Sequence, residues 1–125
     1  MKRKIMVIDD DVDISHLLKH NLENKGKYEV VVENKSTSAA RRAWEVMPDL
    51  IVLDVVMPDK DGGDVQTEIR QNNRTKNIPI IFLTSLVRRE ESSTSGAMIA
   101  GDKFLAKPVQ MGELIAEIEA CLNYA

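Results

Sequence analysis

Short apolar runs alternate with amphipathic segments five times along the chain, and this alternation restricts the possible folds more than any other sequence feature. A short apolar run bounded by polar residues is typical of a buried strand, and apolar residues three or four positions apart indicate one face of a helix. Strands that alternate with helices predict an α/β fold, in which helices cover both faces of a parallel sheet. The predicted strands are residues 4–9, 28–33, 50–54, 78–83 and 103–106.

Three of the five predicted helices carry a clear apolar stripe. The first carries a leucine-rich stripe that Gly26 ends, the second follows a serine-rich cap region at 36–38 and ends before Pro48, and the last spans about 111–122. The other two, near 64–72 and 90–100, have weaker apolar stripes. Because residues 92–96 are serine, threonine and glycine, which are poor interior helix residues, we expect the fourth helix to be short or mobile.

Size and composition limit the possible function classes. A length of 125 residues fits one domain, residues 1–125. With 43% hydrophobic residues, 30% charged residues and a net charge of −3, nothing favours nucleic-acid binding. No apolar stretch approaches the roughly 20 residues that cross a bilayer, so we expect a cytoplasmic protein without membrane contact. The lone cysteine, Cys121, lies in the apolar stripe of the last helix and is interpreted as a core residue.

Polar residues stand where four of the strands end. Asp9 and Asp10 end the first strand, Asp54 the third, Thr84 follows the fourth, and Lys107 follows the fifth. In doubly wound sheets the ligand site lies beyond the carboxyl ends of the strands. Carboxylates that meet there repel one another unless a proton or cation lies between them, and such oxygen ligands suit Mg²⁺, with Mn²⁺ as an alternative.

This constellation also indicates a reaction. With a metal ion bound, one carboxylate can attack a phosphoryl group to give an aspartyl phosphate. Lys107 can supply a cation for the phosphoryl oxygens, and Thr84 can supply a hydrogen bond.

Four motifs stand in order at these strand ends: IDDD at 8–11, LDVVMPDKDGG at 53–63, LTS at 83–85 and FLAKP at 104–108. With these motifs, essentially the whole chain resembles a response-regulator receiver domain of two-component signalling, the CheY-like family. The resemblance implies a doubly wound, five-stranded parallel sheet of flavodoxin-like strand order 2-1-3-4-5 with five helices.

The resemblance also implies a role for each matching residue. Asp54 is the implied phospho-acceptor, and the implied metal ligands are Asp9, Asp10, Asp54 and the backbone carbonyl of Val56. Thr84 and Lys107 are implied to bind the phosphoryl group, Phe104 to be the aromatic switch residue, and the Lys107–Pro108 bond to be cis.

Asp11, Phe104 and the glycines also have simpler interpretations. Asp11 is better explained as a cap of the first helix than as a ligand. Phe104 could equally be a partly exposed strand aromatic. Gly62 and Gly63 most simply permit a tight turn into the third helix.

The implied partners are a histidine kinase or a histidine phosphotransfer protein, with Asp13, Leu17 and His20 on the first helix as docking candidates. The domain would be a regulatory phospho-acceptor that assists only its own phosphorylation and dephosphorylation, and would change the surface of the fourth helix, fifth strand and fifth helix. The downstream protein or effector domain is unknown. The chain is expected to be a monomer or a phosphorylation-dependent dimer. Because Val56 and Leu86 are apolar and cannot orient water, we expect a long-lived aspartyl phosphate.

Three alternatives remain open. A receiver fold could signal by protein contact without phosphorylation, although the acceptor, metal and phosphoryl-binding residues are all present. A flavodoxin-like cofactor binder is disfavoured because the acids at 9–11 would repel a phosphate. In a phosphatase with a first-strand nucleophile, Asp9 and Asp11 would fit the D-x-D spacing, but Val12 and Asp13 do not continue that motif.

Overall fold

Strands and helices alternate along the computed structural model, which describes residues 2–85, 97–99 and 102–123, the three residues 97–99 by their backbone alone. The elements are β1 (Arg3–Ile8), α1 (Val12–Glu23), β2 (Tyr28–Glu33), α2 (Ser36–Val46), β3 (Leu50–Asp54), α3 (Gly62–Gln71), β4 (Ile80–Thr84), β5 (Ala97–Ile99), β6 (Asp102–Ala106) and α4 (Met111–Asn123).

The strands form one sheet in the order β2-β1-β3-β4-β6-β5. Five of them, β2, β1, β3, β4 and β6, are parallel neighbours, and β5 pairs antiparallel with β6 at the edge. Since β6 is the predicted fifth strand, the predicted α/β class and the strand order 2-1-3-4-5 are confirmed. Strand β3 lies between β1 and β4, and all five of its residues are buried.

Strand β1 lies one residue earlier than the predicted 4–9, and β6 begins one residue before the predicted 103–106. Two larger differences have physical causes. Strand β4 begins at Ile80 rather than at residue 78, because Pro79 has no N–H to donate to a neighbouring strand. The predicted fourth helix at 90–100 lies mostly outside the described residues, and the part that is described, Ala97–Ile99, forms β5 instead of helix. A three-residue apolar run carries no period that separates a strand from a helix.

The side chains of each central strand alternate between two apolar cores. Ile5 and Val7 of β1 point to the core that α1 and α4 cover. Met6 and Ile8 point to the core that α2 and α3 cover. This alternation is the expected result of a two-residue side-chain period in a sheet with helices on both faces. None of the helices in the described part of the chain is long and apolar enough to span a membrane.

The helix starts decide how the loops lie over the sheet. Asp11 caps α1, since its side chain accepts a hydrogen bond from the Ile14 N–H at 3.0 Å, so the capping interpretation is confirmed. The serine cap predicted for α2 is wrong. Lys35 is the N-cap residue and makes no side-chain cap bond, while the Ser36 hydroxyl donates to the Pro58 carbonyl at 2.6 Å. Ser36 therefore ties the start of α2 to the loop that follows β3.

Candidate phosphoryl and metal site

Adjacent strands bring the predicted carboxylates together. Asp9 follows β1 and Asp54 ends β3, and the register pairs Ile8 with Leu53 one residue earlier. Asp9 and Asp54 are only 2% and 6% exposed, whereas Asp10 is exposed. One oxygen from each of the three carboxylates lies within 4.8 Å of the others. The three acids therefore form a compact group with two buried members and one open to solvent.

Lys107 reaches this group from the last strand. Its Nζ lies 3.2 Å from Asp9 Oδ2 and 3.3 Å from Asp54 Oδ1. The backbone positions it, because the Lys107 N–H donates to the Thr84 carbonyl at 2.9 Å and so continues the β4–β6 pairing by one residue. The Lys107–Pro108 peptide bond is cis.

Burial and charge set the proton affinities of Asp54 and Lys107. Burial raises the pKa of Asp54, the nearby Asp9 charge raises it further, and Lys107 and the Val56 N–H oppose both only in part. Burial alone would lower the pKa of Lys107, but the charges of Asp9 and Asp54 outweigh it and the net shift is upward. Lys107 thus stays protonated, while ionised Asp54 lacks full compensation.

The donor set fits a small divalent cation. Carboxylate oxygens that converge within a few ångströms are the hard ligands Mg²⁺ prefers, and an exposed third ligand leaves room for the waters this ion keeps. The three carboxylates outweigh the Lys107 ammonium, so a cation at this position relieves repulsion. Val56 lies just beyond β3 with 54% of its surface exposed; its carbonyl as a ligand stays a prediction.

Thr84 and Phe104 lie on the neighbouring strands β4 and β6. Thr84 ends β4, is 1% exposed and pairs in register with Ala106. Phe104 is 8% exposed, pairs with Phe82 and belongs to the core beside α2 and α3. The alternative that Phe104 is a partly exposed strand aromatic is wrong, because its ring is buried; its role as a switch stays a prediction.

Gly62 has a closer relation to the site than a turn requires. A Cβ added there would lie 2.5 Å from the Asp54 carbonyl oxygen and 2.9 Å from Val55 Cα. The Gly62 N–H also donates to the Val55 carbonyl at 2.7 Å. Gly62 therefore allows the first turn of α3 to lie directly against the backbone of Asp54, which the sequence-based interpretation as a simple turn glycine missed.

Sequence reasoning also missed a polar contact behind Asp9. Asn34, which follows β2, donates through Nδ2 to the Asp9 carbonyl at 2.7 Å and to the Ser15 hydroxyl at 2.9 Å. The only sequence signal was a polar residue at the end of a strand next to β1 in the sheet.

Of the three docking candidates, Leu17 lies beside the site. Leu17 is 58% exposed and lines a groove of about 420 Å³ that Lys107 and Pro108 also line. His20 lies in a separate depression with His16 and is 3.2 Å from the Asn24 side chain. Asp13 is exposed in the first turn of α1.

The chain is similar in sequence to known proteins of one family. Residues 5–119 match the family model of the response regulator receiver domain. The chain is 36% identical over 123 residues to the alkaline phosphatase synthesis transcriptional regulatory protein PhoP of Bacillus subtilis, across 98% of this chain and 50% of PhoP. It is also 36% identical over 126 residues to the phosphate regulon transcriptional regulatory protein PhoB of Rhizobium meliloti, across 100% of this chain and 54% of PhoB. The chain thus spans about half the length of the curated relatives it matches.

Solved structures share the fold over nearly the whole chain. The receiver domain of the Francisella response regulator 1452 superposes with a TM-score of 0.80 at 28% identity, covering 98% of both chains. The chemotaxis protein CheY4 of Vibrio cholerae superposes with a TM-score of 0.82 at 26% identity, covering 98% of this chain and 100% of CheY4. These similarities extend over all the strands that bring the candidate site together.

Proposed function

The chain belongs to the response regulator receiver domain family, and from this premise we propose that it is a phospho-accepting switch in which Asp54 takes a phosphoryl group from a phosphohistidine. The donor is a sensor kinase or a histidine phosphotransfer protein. One observation carries the proposal: the Lys107 ammonium lies against both buried carboxylates, Asp9 and Asp54, within 3.3 Å.

The proposed reaction is an in-line displacement at phosphorus. An Asp54 carboxylate oxygen forms the new P–O bond while the P–N bond to the donor imidazole breaks, and the bond electrons leave with the imidazole nitrogen. The Lys107 ammonium neutralises charge on the phosphoryl oxygens, and Thr84 donates a hydrogen bond to one of them. The chain would assist only its own phosphorylation and dephosphorylation.

Mg²⁺, or Mn²⁺ in its place, is the proposed cofactor. Asp9, Asp10 and Asp54 would hold it, with the Val56 carbonyl as a further ligand. When bound, the ion supplies positive charge that stabilises the transferring phosphoryl group. The support for this assignment is the convergence of the three carboxylates within 4.8 Å and the hardness of their oxygens.

The proposed docking surface for the donor is the exposed side of α1 next to Lys107. Val12, Ile14 and Leu17 are apolar yet 50%, 39% and 58% exposed, and Ile14 and Leu17 line the groove that reaches Lys107. An apolar surface at the rim of an acidic site suits a helical donor whose phosphohistidine must approach Asp54. Asp13 and His20 would then contribute to the choice of partner from the polar flank of α1.

The proposed output is a change of the surface that β6 and α4 contribute to. Thr84 and Phe104 lie on paired strands, so a shift of Thr84 toward a phosphoryl group would change the packing of the Phe104 ring. Because this chain spans about half of PhoP and PhoB, we propose an effector domain or a separate downstream protein as the recipient, with a monomer or a phosphorylation-dependent dimer as the active form.

Phosphorylation is tested with acetyl phosphate and Mg²⁺, followed by intact mass. We expect an adduct of one phosphoryl group on the wild-type chain and none on Asp54→Asn, because the amide is not a nucleophile. Asp59→Asn is the matched control, since Asp59 is an exposed loop acid, and it should keep the adduct. An adduct that persists in Asp54→Asn would assign another acceptor, and no wild-type adduct would favour signalling by protein contact alone.

The same assay measures the lifetime of the adduct. Val56 is apolar and exposed beside Asp54, and it offers no group to orient an attacking water; Leu86 lies outside the described residues. We therefore propose a phosphate that persists for minutes or longer in Mg²⁺ buffer, and loss of the label within seconds would contradict this.

A further inference from the structure

We propose that Asn34 is a positioning residue that fixes the peptide plane between Asp9 and Asp10 and thereby sets the affinity of the site for a divalent cation. The proposal rests on the proposed function, because it takes these two acids as ligands of the cation. Asn34 itself is not a ligand; it acts through the backbone that carries two of them.

The contacts of Asp9 show what Asn34 adds. The Asp9 N–H donates to the Glu33 carbonyl at 3.1 Å. Its carboxylate accepts from the Asp11 N–H at 2.9 Å and from Lys107 at 3.2 Å. The carbonyl oxygen accepts from Asn34 Nδ2 at 2.7 Å. The Asn34 bond thus fixes the remaining backbone polar group of Asp9.

Fixing this carbonyl restricts the position of Asp10. A peptide unit is planar, so the orientation of the Asp9 carbonyl also sets the Asp10 N–H and the Asp10 Cα, from which its side chain starts. Asp10 is exposed, and no neighbouring side chain among the described contacts holds it. Its carboxylate therefore depends on the backbone for its approach to Asp9 and Asp54.

The amide of Asn34 is itself anchored on its other side. Nδ2 also donates to the Ser15 hydroxyl at 2.9 Å, and that hydroxyl donates to the Val12 carbonyl in the first turn of α1 at 2.9 Å. Ser15 is completely buried. Asn34 consequently links the ends of β1 and β2 to the start of α1, and a flexible surface amide would not have this geometry.

The test compares Mg²⁺ affinity by titration calorimetry on metal-free protein. Removal of a residue that orients metal ligands typically weakens binding tenfold or more, so we expect Asn34→Ala to raise the Kd about tenfold. Asn34→Leu, which refills the space without restoring the donor, should show the same loss. Ser15→Ala keeps the Asp9 bond and should change the Kd less than either.

Asn24→Ala is the matched control. Asn24 is also an asparagine whose Nδ2 bonds a side chain, His20, but it lies at the far end of α1. The Mg²⁺ Kd of Asn24→Ala should equal that of the wild type. Thermal unfolding without metal is recorded for every variant, because a purely structural role would lower the melting temperature and leave the Kd of the folded protein unchanged.

Each result decides between the explanations. A Kd for the folded Asn34 variants within twofold of the wild type would overturn the proposal, and so would failure of both variants to fold, since Asn34 would then be structural. Absence of Mg²⁺ binding by the wild-type chain would instead refute the cation site of the proposed function. A tenfold loss of Mg²⁺ affinity that is confined to the Asn34 variants would support a positioning role for Asn34.

Discussion

The contact between Gly62 and Asp54 leaves no room for a side chain at the backbone of the proposed acceptor. The atom that an added Cβ would meet, at 2.5 Å, is the Asp54 carbonyl oxygen. Relief therefore requires a shift of α3 or of the end of β3 rather than the rotation of a side chain. We expect Gly62→Ala to lower the free energy of unfolding by about 1–3 kcal/mol, as measured by urea denaturation.

Gly112 provides the control for this substitution. It lies in α4, and a Cβ added there would have no neighbour within 4 Å. Alanine is a better helix residue than glycine by about 0.5–1 kcal/mol in a helix interior and by less in the first turn, where Gly112 lies, so Gly112→Ala should be neutral or slightly stabilising. If the two variants were equally stable, the contact with Asp54 would carry no strain.

Most residues of the candidate site could be predicted from the sequence. Four of them stand next to an apolar run: Asp9, Asp54, Thr84 and Lys107. The topology of a parallel sheet brings such positions together. The Asn34 contact with Asp9 depends on a meeting of side chain and backbone between distant segments. No local pattern encodes that distance, which is why this residue emerged only from the structure.

At the scale of elements, a polar link joins α3 to the start of β6. Asp102 accepts from Arg70 Nη2 at 2.7 Å and from Gln66 Nε2 at 2.6 Å. Its side chain is only 12% exposed. Asp102→Asn removes the charge and turns an amide N–H toward one of these donors, so we expect a loss of about 1–3 kcal/mol in unfolding free energy.

Asp59→Asn tests whether the lower unfolding free energy of Asp102→Asn arises from the polar link between α3 and β6. Asp59 is exposed and has a positive φ of 72°, a backbone conformation that asparagine also tolerates. Urea denaturation of this variant should give the wild-type midpoint. A loss of the same size at both positions would trace the effect to the general removal of an acid.

A second polar link joins α4 to β2, which forms the opposite edge of the sheet. The Tyr28 hydroxyl donates to Glu119, and Tyr28 is 1% exposed. Burial, followed by the hydrogen bond and charge of Glu119, raises the pKa of the Tyr28 phenol well above its usual value. The stabilisation from this group is fully present below the ordinary tyrosine pKa of about 10 and is lost as the pH rises through the raised value.

Ultraviolet titration checks this shift. Since the chain has two tyrosines, Tyr124→Phe leaves Tyr28 as the only phenol. We expect its ionisation step near 295 nm to begin only well above pH 10 and to coincide with loss of helical circular dichroism. A step centred near pH 10 in the folded protein would contradict the burial and bonding of the phenol.

The elements themselves were largely predictable, with exceptions that have physical causes. The four strands that bound the site, β1, β3, β4 and β6, follow from apolar runs flanked by polar ends. The serine cap of α2 was not predictable, because Ser36 bonds Pro58, which is distant in the sequence. For the short segment Ala97–Ile99, pairing with β6 decides the structure, and that pairing is not a local property.

For the whole molecule, the three clustered acids should make stability depend on the proposed metal ion. The raised pKa of Asp54 arises from burial and then from the Asp9 charge, so its stabilising contribution is present below its ordinary value and is lost as the pH rises through the raised one. Ionised Asp54 therefore opposes folding at pH 7 when no cation is bound. We expect Asp54→Asn to melt at a higher temperature than the wild type in chelator at pH 7.

Saturating Mg²⁺ should reverse the order of the two melting temperatures, so that the wild type melts above Asp54→Asn. A ligand at one hundred times its Kd stabilises the folded state by about 2.7 kcal/mol, so saturating Mg²⁺ should raise the wild-type melting temperature while moving Asp54→Asn much less. Differential scanning calorimetry in chelator and in Mg²⁺ measures both effects. A wild-type chain already more stable than Asp54→Asn in chelator would show that Lys107 fully compensates the buried charge.

The wide spacing of the site residues has a consequence for the time at which the site forms during synthesis. Asp9 and Asp54 leave the ribosome long before Lys107, because β6, which precedes this lysine, comes last among the strands of the described residues. At roughly 5–20 residues per second, translation separates Asp54 from Lys107 by about 3–10 seconds. A nascent chain thus carries the acids before their ammonium partner, and the proposed competence to accept a phosphoryl group arises only after Lys107 has left the ribosome.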